Sequence, residues 1–196
     1  ILNASQQIKT IGVNYAITSA NDGSLLYSNE TDQPFEAKTG ETGHLQLTTP
    51  HLNPKLWSPQ DPNLYYLHIS LTDGDRVIDC DTIRFGFRTF TVRDSHLMLN
   101  GHPYWLRGGN PFPNTLRPND GQLARQFMEI ARAGDVNVTR SHIVPFTSTW
   151  LDAADEVGIG VSCEGTWPWL MLEGPPPSQE LLKVWKDEYL SLIREK

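Results

Sequence analysis

Glu164 closes an apolar, strand-like run, Ile159-Gly160-Val161-Ser162-Cys163-Glu164. Alternation along a strand puts Ile159, Val161 and Cys163 on one face and Gly160, Ser162 and Glu164 on the other. The apolar set suits burial under helices, so a carboxylate projects from the opposite face at the C-terminal end of the strand. There it can accept hydrogen bonds from a ligand's hydroxyls, or pair with Arg107 or Arg140 as a structural acid; the two roles are compatible. Just beyond, Trp167 and Trp169 flank Pro168. Their rings offer flat faces to ligand C–H groups, or serve as loop packing. Asp152, Asp155 and Glu156 lie at helical spacing and form a solvated face. Cys80 and Cys163 are too few for a disulfide framework and lack the spacing of a zinc site; their apolar surroundings predict buried free thiols. Sequons begin at Asn3, Asn29 and Asn137, close to the number that chance provides.

These groups need elements to hold them, and the chain changes period near Asp94. Before it, strand signals dominate. Ile8–Thr18 carries Ile11, Val13, Tyr15 and Ile17 on one period-2 face, and Asn21-Asp22-Gly23 turns the chain into a strand at Ser24–Ser28. Gly43–Thr48 is a further short strand, and the four prolines within Thr49–Pro62 forbid a continuous ladder. Leu64–Leu71 alternates again, and Asp73-Gly74 turns it into Arg76–Val92, interrupted at Gly86. This spacing predicts an immunoglobulin-like β-sandwich over residues 1–93.

From residue 94 to 196 the pattern is strand, helix, strand, helix. Strands are expected at Tyr104–Asn110, Val136–Val144 and Ile159–Glu164. Helices are expected after an Asn119 or Asp120 cap, with Leu123, Phe127, Ile130 and Ala131 on one face up to Gly134, and over Thr147–Val157, ended by Gly158. A last helix opens at Ser178 with a stripe of Leu181, Leu182, Trp185, Tyr189, Leu192 and Ile193. Such βα units predict a parallel sheet, and three of them are the start of a (β/α)8 barrel, which takes about 250 residues. The barrel is incomplete. With 23 acidic against 16 basic residues and a formal charge of −7, the 196-residue chain shows no basic footprint for nucleic acid. No apolar run reaches the roughly 20 residues of a membrane span. Ile1–Ser5 has neither an initiator Met nor an apolar leader, which suggests the interior of a longer chain.

Four segments resemble glycoside hydrolase family 2. Leu56–Tyr65 (LWSPQDPNLY) is similar to that family's LWSPEDPNLY, and Phe85-Gly86-Phe87-Arg88 to its FGFR. Leu99–Pro103 with Leu106–Asn110 resembles the LNGKPvfLRGvN run that begins its barrel. Leu151–Gly158 followed by Val161–Glu164 resembles yDlcDelGllVldE. The resemblance implies a retaining exo-β-glycosidase, β-galactosidase-like, that works with two carboxylates about 5–5.5 Å apart. It places the acid/base in an Asn-Glu pair after the fourth barrel strand and the nucleophile later still. Asn29-Glu30, in the β-sandwich half, is out of register, so no catalytic residue is assigned, and this chain by itself is expected to be inactive.

What the resemblance leaves is a substrate-binding rim of Asn110, Arg140, His142, Glu164 and Trp167. In the family's VRxSH two residues separate Arg and His; here Arg140-Ser141-His142 leaves one. Alignment on Ser-His puts Thr139 in the arginine's place, so either Arg140 or His142 keeps the role of contacting sugar or holding a catalytic carboxylate. After Asn110 the β-galactosidase RHE is replaced by Pro111-Phe112-Pro113, and the metal-binding NIETHG segment has no counterpart. No metal and no cofactor are expected. The expected partners are a carbohydrate, the rest of the same polypeptide and, through the open partial barrel, a second copy. Neither nucleic acid nor membrane is among them. The competing reading is a non-catalytic carbohydrate- or protein-binding module derived from the family.

Overall fold

The computed structural model describes residues 1–30, 34–110, 113–142, 144–164 and 174–195. The chain divides into two compact units, Ile1–Pro103 and Tyr104–Lys196. The first is built on β1 (Lys9–Ser19), β2 (Leu25–Glu30), β3 (Phe35–Ala37), β4 (Tyr65–Asp73) and β5 (Arg76–Phe85). Its sheet runs β2-β1-β4-β5, every pairing antiparallel, with β3 added at the start of β1. Ile11, Val13, Tyr15 and Ile17 are buried, as their alternation requires. Ile17 stands opposite Tyr27 and Leu67, and Tyr15 opposite Asn29 and Ile69. A second small sheet follows, β6 (Phe90–Arg93), β7 (His96–Leu99) and β8 (His102–Pro103). Asp94 and Ser95, both at positive φ, make its first turn.

The segment Leu56–Tyr65 forms a knot of side-chain to backbone bonds. Trp57, 6% exposed, donates its amide to Phe87 O at 2.8 Å, and Asn100 Nδ2 donates to Trp57 O at 3.0 Å. Asn63, also buried, donates to Leu56 O and to the Asp61 carboxylate. The Arg88 guanidinium lies over the Trp57 ring, 5.5 Å from its centroid, and Phe87 meets both Tyr65 and Phe85 edge to face. A Cβ at Gly86 would stand 3.0 Å from Trp57 Cβ and 3.3 Å from Asn63 O, so the bare backbone lets these segments close.

In the second unit, β9 (Gly108–Gly109), β10 (Val138–Arg140) and β11 (Gly160–Ser162) form a parallel sheet in the order β11-β10-β9. The chain between them makes α1 (Gly121–Ala133) and α2 (Ser148–Val157), and α3 (Gln179–Glu195) follows. Asp120 caps α1, accepting from Leu123 N at 2.9 Å, and Gly158 ends α2 in the left-handed region at φ 88°. The core joins Ala124 and Met128 of α1 to Trp150, Ala153, Ala154 and Val157 of α2, with Phe146 and Ile159. Arg132 donates to Val157 O at 2.7 Å and so satisfies a carbonyl at the C-terminal end of α2.

Several expectations need correction. Gly43–Thr48 forms no strand: β1 is already partnered by β3 at its start and by β2 and β4 beyond, and Leu45 and Leu47 remain exposed. The three parallel strands are shorter than predicted, because only two or three residues of each find a ladder partner. On α1 the buried residues are Ala124 and Met128, with Leu123, Phe127 and Ala131 partly covered, whereas Ile130 is 68% exposed. On α3 Trp185 is buried and Ile193 exposed. Both cysteines are exposed. Cys80 lies opposite Ser70 on the open face of β5, which ends the sheet; Cys163 follows β11, past its last paired residue.

Asn137 ties the lower ends of the parallel strands together. Its Oδ1 accepts from Arg107 N at 2.8 Å, its Nδ2 donates to Trp105 O at 2.8 Å, and its carbonyl accepts from Gly160 N and Tyr104 Oη. Replacing this 5%-exposed side chain strands one donor and one acceptor. Asn137→Ala is therefore expected to cost about 2–6 kcal/mol, at about 1–3 kcal/mol per stranded group, read as a lower midpoint for the second unit in urea unfolding. A separate pH dependence follows from the α1 cap. The Leu123 amide, helped by Arg117, holds the Asp120 carboxyl below its ordinary value. A lowered folded value stabilises above the unfolded one and is lost as pH falls through it. Wild type should thus outlast Asp120→Ala in thermal melts at neutral pH, and the gap should close as pH drops below about 3.8.

Candidate functional site

The upper, C-terminal ends of the parallel strands gather most of the residues singled out in the sequence. Val138 pairs with both Gly108 and Gly160, and Thr139 with Gly109 and Val161. Continuing that register sets Asn110, Arg140 and Ser162 at one level, with His142 and Glu164 one step above. Val161 packs against the helical core, so Thr139, its registered partner, faces the helices. Arg140, His142 and Glu164 take the opposite, open side.

Arg140 Nε donates to Glu164 Oε2 at 3.1 Å, with the side chains 52% and 30% exposed. Of the two arginines considered for Glu164, Arg140 is thus the partner. Arg107 Nε donates instead to Asp135 O at 2.8 Å. Among the described residues the second oxygen of Glu164 has no protein partner, and the side chains of Asn110 and His142 make no hydrogen bond; both are exposed. Trp167 and Trp169 lie outside the described residues, as do Pro111 and Phe112. Asp152, Asp155 and Glu156 are exposed on α2, where Glu156 accepts from Arg125 at 2.6 Å. Among the described residues no three His, Cys, Asp or Glu side chains come together as a metal site.

Beneath the pair lies a layer that the motif reading missed. Thr139, 1% exposed, donates from Oγ1 to Gly109 O at 3.0 Å. Ser141, fully buried, donates its amide to Ser162 O at 3.1 Å, and its Oγ accepts from Glu164 N at 2.7 Å. The signal was present: Asn137, Thr139 and Ser141 are polar at period two within a strand, on the side where apolar residues would be expected. Buried polar groups of this kind are hydrogen-bonded, and here they bind one strand to the next. The result is a carboxylate tied to a guanidinium, its second oxygen without a partner among the described residues, with an amide and an imidazole at the neighbouring strand ends. Such an array can bind and orient a hydroxylated ligand. Retaining hydrolysis needs two carboxyl groups, and one carboxylate tied to a cation does not supply them.

Comparison with known proteins bears on both units. The family model described as Glycosyl hydrolases family 2 matches residues 2–88. The β-galactosidase of Streptococcus thermophilus is 27% identical over 149 residues, covering 71% of this chain and 14% of its own length. That of Priestia megaterium is 28% identical over 162 residues, covering 76% and 16%. Among solved structures, Bacteroides uniformis β-glucuronidase superposes with a TM-score of 0.68 at 25% identity, over 82% of this chain and 20% of its own. A family 2 member from Bacteroides cellulosilyticus DSM 14838 reaches 0.72 at 22% identity, over 85% and 24%. The chain spans about a seventh of the length of the curated relatives it matches. A family-model match in the first unit, relatives that extend across most of the sequence, and a fold shared over four fifths of it converge: the chain is similar to members of glycosyl hydrolase family 2 along most of its length.

Proposed function

We propose that this chain is part of a retaining exo-β-glycosidase, β-galactosidase-like, that removes single sugars from the non-reducing ends of carbohydrates. On this reading residues 1–93 are an immunoglobulin-like domain, and residues 94–196 open a (β/α)8 barrel whose two catalytic carboxylates belong to other parts of the enzyme. The observation that carries it is the Arg140–Glu164 pair on the open side of parallel strands, at their C-terminal ends. Barrel enzymes build their sites at that end. Asn110, Arg140, His142 and Glu164 form one wall of the sugar site. Glu164 and Asn110 accept from sugar hydroxyls, and Arg140 donates to them.

The relatives support the choice of sugar class: the curated sequences are β-galactosidases, whereas several structural neighbours are β-glucuronidases. The test uses the full-length protein with p-nitrophenyl β-galactoside, β-glucuronide and β-mannoside. Preferred hydrolysis of the galactoside, with β-galactose as the first product by NMR, is expected, and the 196-residue chain alone should release no nitrophenol. An α-configured first product, or hydrolysis of none of the three by the full-length protein, overturns the proposal. In the active enzyme Glu164→Ala removes a charge-assisted hydrogen bond to the sugar, worth about 1.5–3 kcal/mol. kcat/KM should fall by roughly ten- to a hundredfold, chiefly through KM if the contact is made equally in ground and transition states.

A further inference from the structure

We infer that Ser141 is a positioning residue that sets the orientation of the Glu164 carboxylate; this rests on the reading of Glu164 as a sugar-contacting group. Glu164 stands two residues past the last ladder pair of β11, Arg140 with Ser162. Beyond that pair no further strand pairing holds the segment among the described residues. Ser141 supplies the hold. Its amide donates to Ser162 O at 3.1 Å, which completes the last ladder pair, and its Oγ accepts from Glu164 N at 2.7 Å. The second bond does for Glu164 what a ladder carbonyl would do one register step further along.

The geometry closes a ring. Arg140 and Ser141 are consecutive, and they grip Glu164 at opposite ends: the guanidinium takes Oε2 at 3.1 Å and the hydroxyl takes the main-chain amide. A carboxylate fixed at both its backbone and one oxygen keeps its second oxygen aimed. Fixed at the oxygen alone, it turns on a mobile backbone and an exposed arginine. Ser141 is fully buried, so water does not replace the lost acceptor at little cost. The hydroxyl acts through Glu164.

The test is a double-mutant cycle in the full-length enzyme on p-nitrophenyl β-galactoside, with thermal midpoints recorded for every variant. Ser141→Ala is expected to lower kcat/KM about tenfold, the loss of one buried hydrogen bond. In a Glu164→Ala background the same change should move kcat/KM less than about twofold, because the group it positions is gone. Ser141→Cys separates hydrogen bonding from packing. A thiol fills the space but accepts weakly, so it should resemble Ala, whereas restored activity would assign the effect to packing and overturn the inference. Hydrogen–deuterium exchange should quicken in the peptide containing Glu164 on Ser141→Ala. Unchanged exchange there, or losses from Ser141→Ala and Glu164→Ala that simply add, also overturns it. If Glu164→Ala leaves kcat/KM intact, the assignment of Glu164 fails first and this inference falls with it; a full-length protein that hydrolyses none of the glycosides removes both.

Discussion

A parallel sheet whose strands pair over two or three residues has few ladder bonds, and every main-chain group beyond them must find a partner or lose its hydration uncompensated. In the second unit several of those partners are side chains of β10 and of the residues on either side of it. Asn137 serves the lower ends, where it takes the amide of Arg107 and gives to the carbonyl of Trp105. Thr139 serves the middle through Gly109 O, and Ser141 the upper end through Glu164 N. Successive positions of one face thus cross-link β10 to the segments on both sides. Gly108 permits the close approach: a Cβ there would lie 2.8 Å from Val138 Cγ1. The level at which Asn110, Arg140 and Ser162 stand depends on these ties.

The first unit solves a different problem with similar means. Its strands are long enough to hold one another, but the proline-rich stretch before β4 cannot join the sheet. Trp57, Asn63 and Tyr65 fasten that stretch instead, with Asn100 and Arg88 closing on Trp57 from later in the sequence. The segment similar to the family's LWSPEDPNLY is thus one whose residues hold several main-chain groups in place.

What could be read from sequence follows the same division. Elements with strong periodicity appeared where expected: β1 with its four buried residues, α2 between Thr147 and Gly158, and the Asp120 cap of α1. Gly43–Thr48 alternates well enough to pass for a strand, but pairing depends on which edges remain unoccupied, a property of the whole sheet. The cysteines were misplaced for a related reason, since an apolar neighbourhood in sequence does not reveal that β5 is the last strand of its sheet. At the site, alternation was enough to set Glu164 opposite Ile159 and Val161, and the geometry then chose Arg140 over Arg107 as its partner. Ser141 escaped notice because its contact is with a main-chain amide, which no side-chain motif records.

The unusual spacing of Arg140-Ser141-His142 has a physical reading within this sheet. Alignment on Ser-His would put an arginine at position 139, the helix-facing position occupied here by a threonine that is 1% exposed. A guanidinium there would need an anionic partner among Val161 and the helical core, and an unpaired buried charge is far more costly than any surface pair could offset. At position 140 the arginine takes the open side, and its pairing with Glu164 leaves both groups partly in water. Pairs so placed contribute at most about 1 kcal/mol to stability. Stability is therefore a poor account of why the two meet. Orientation is a better one, since the arginine, together with the serine beside it, limits the directions in which the carboxylate can point.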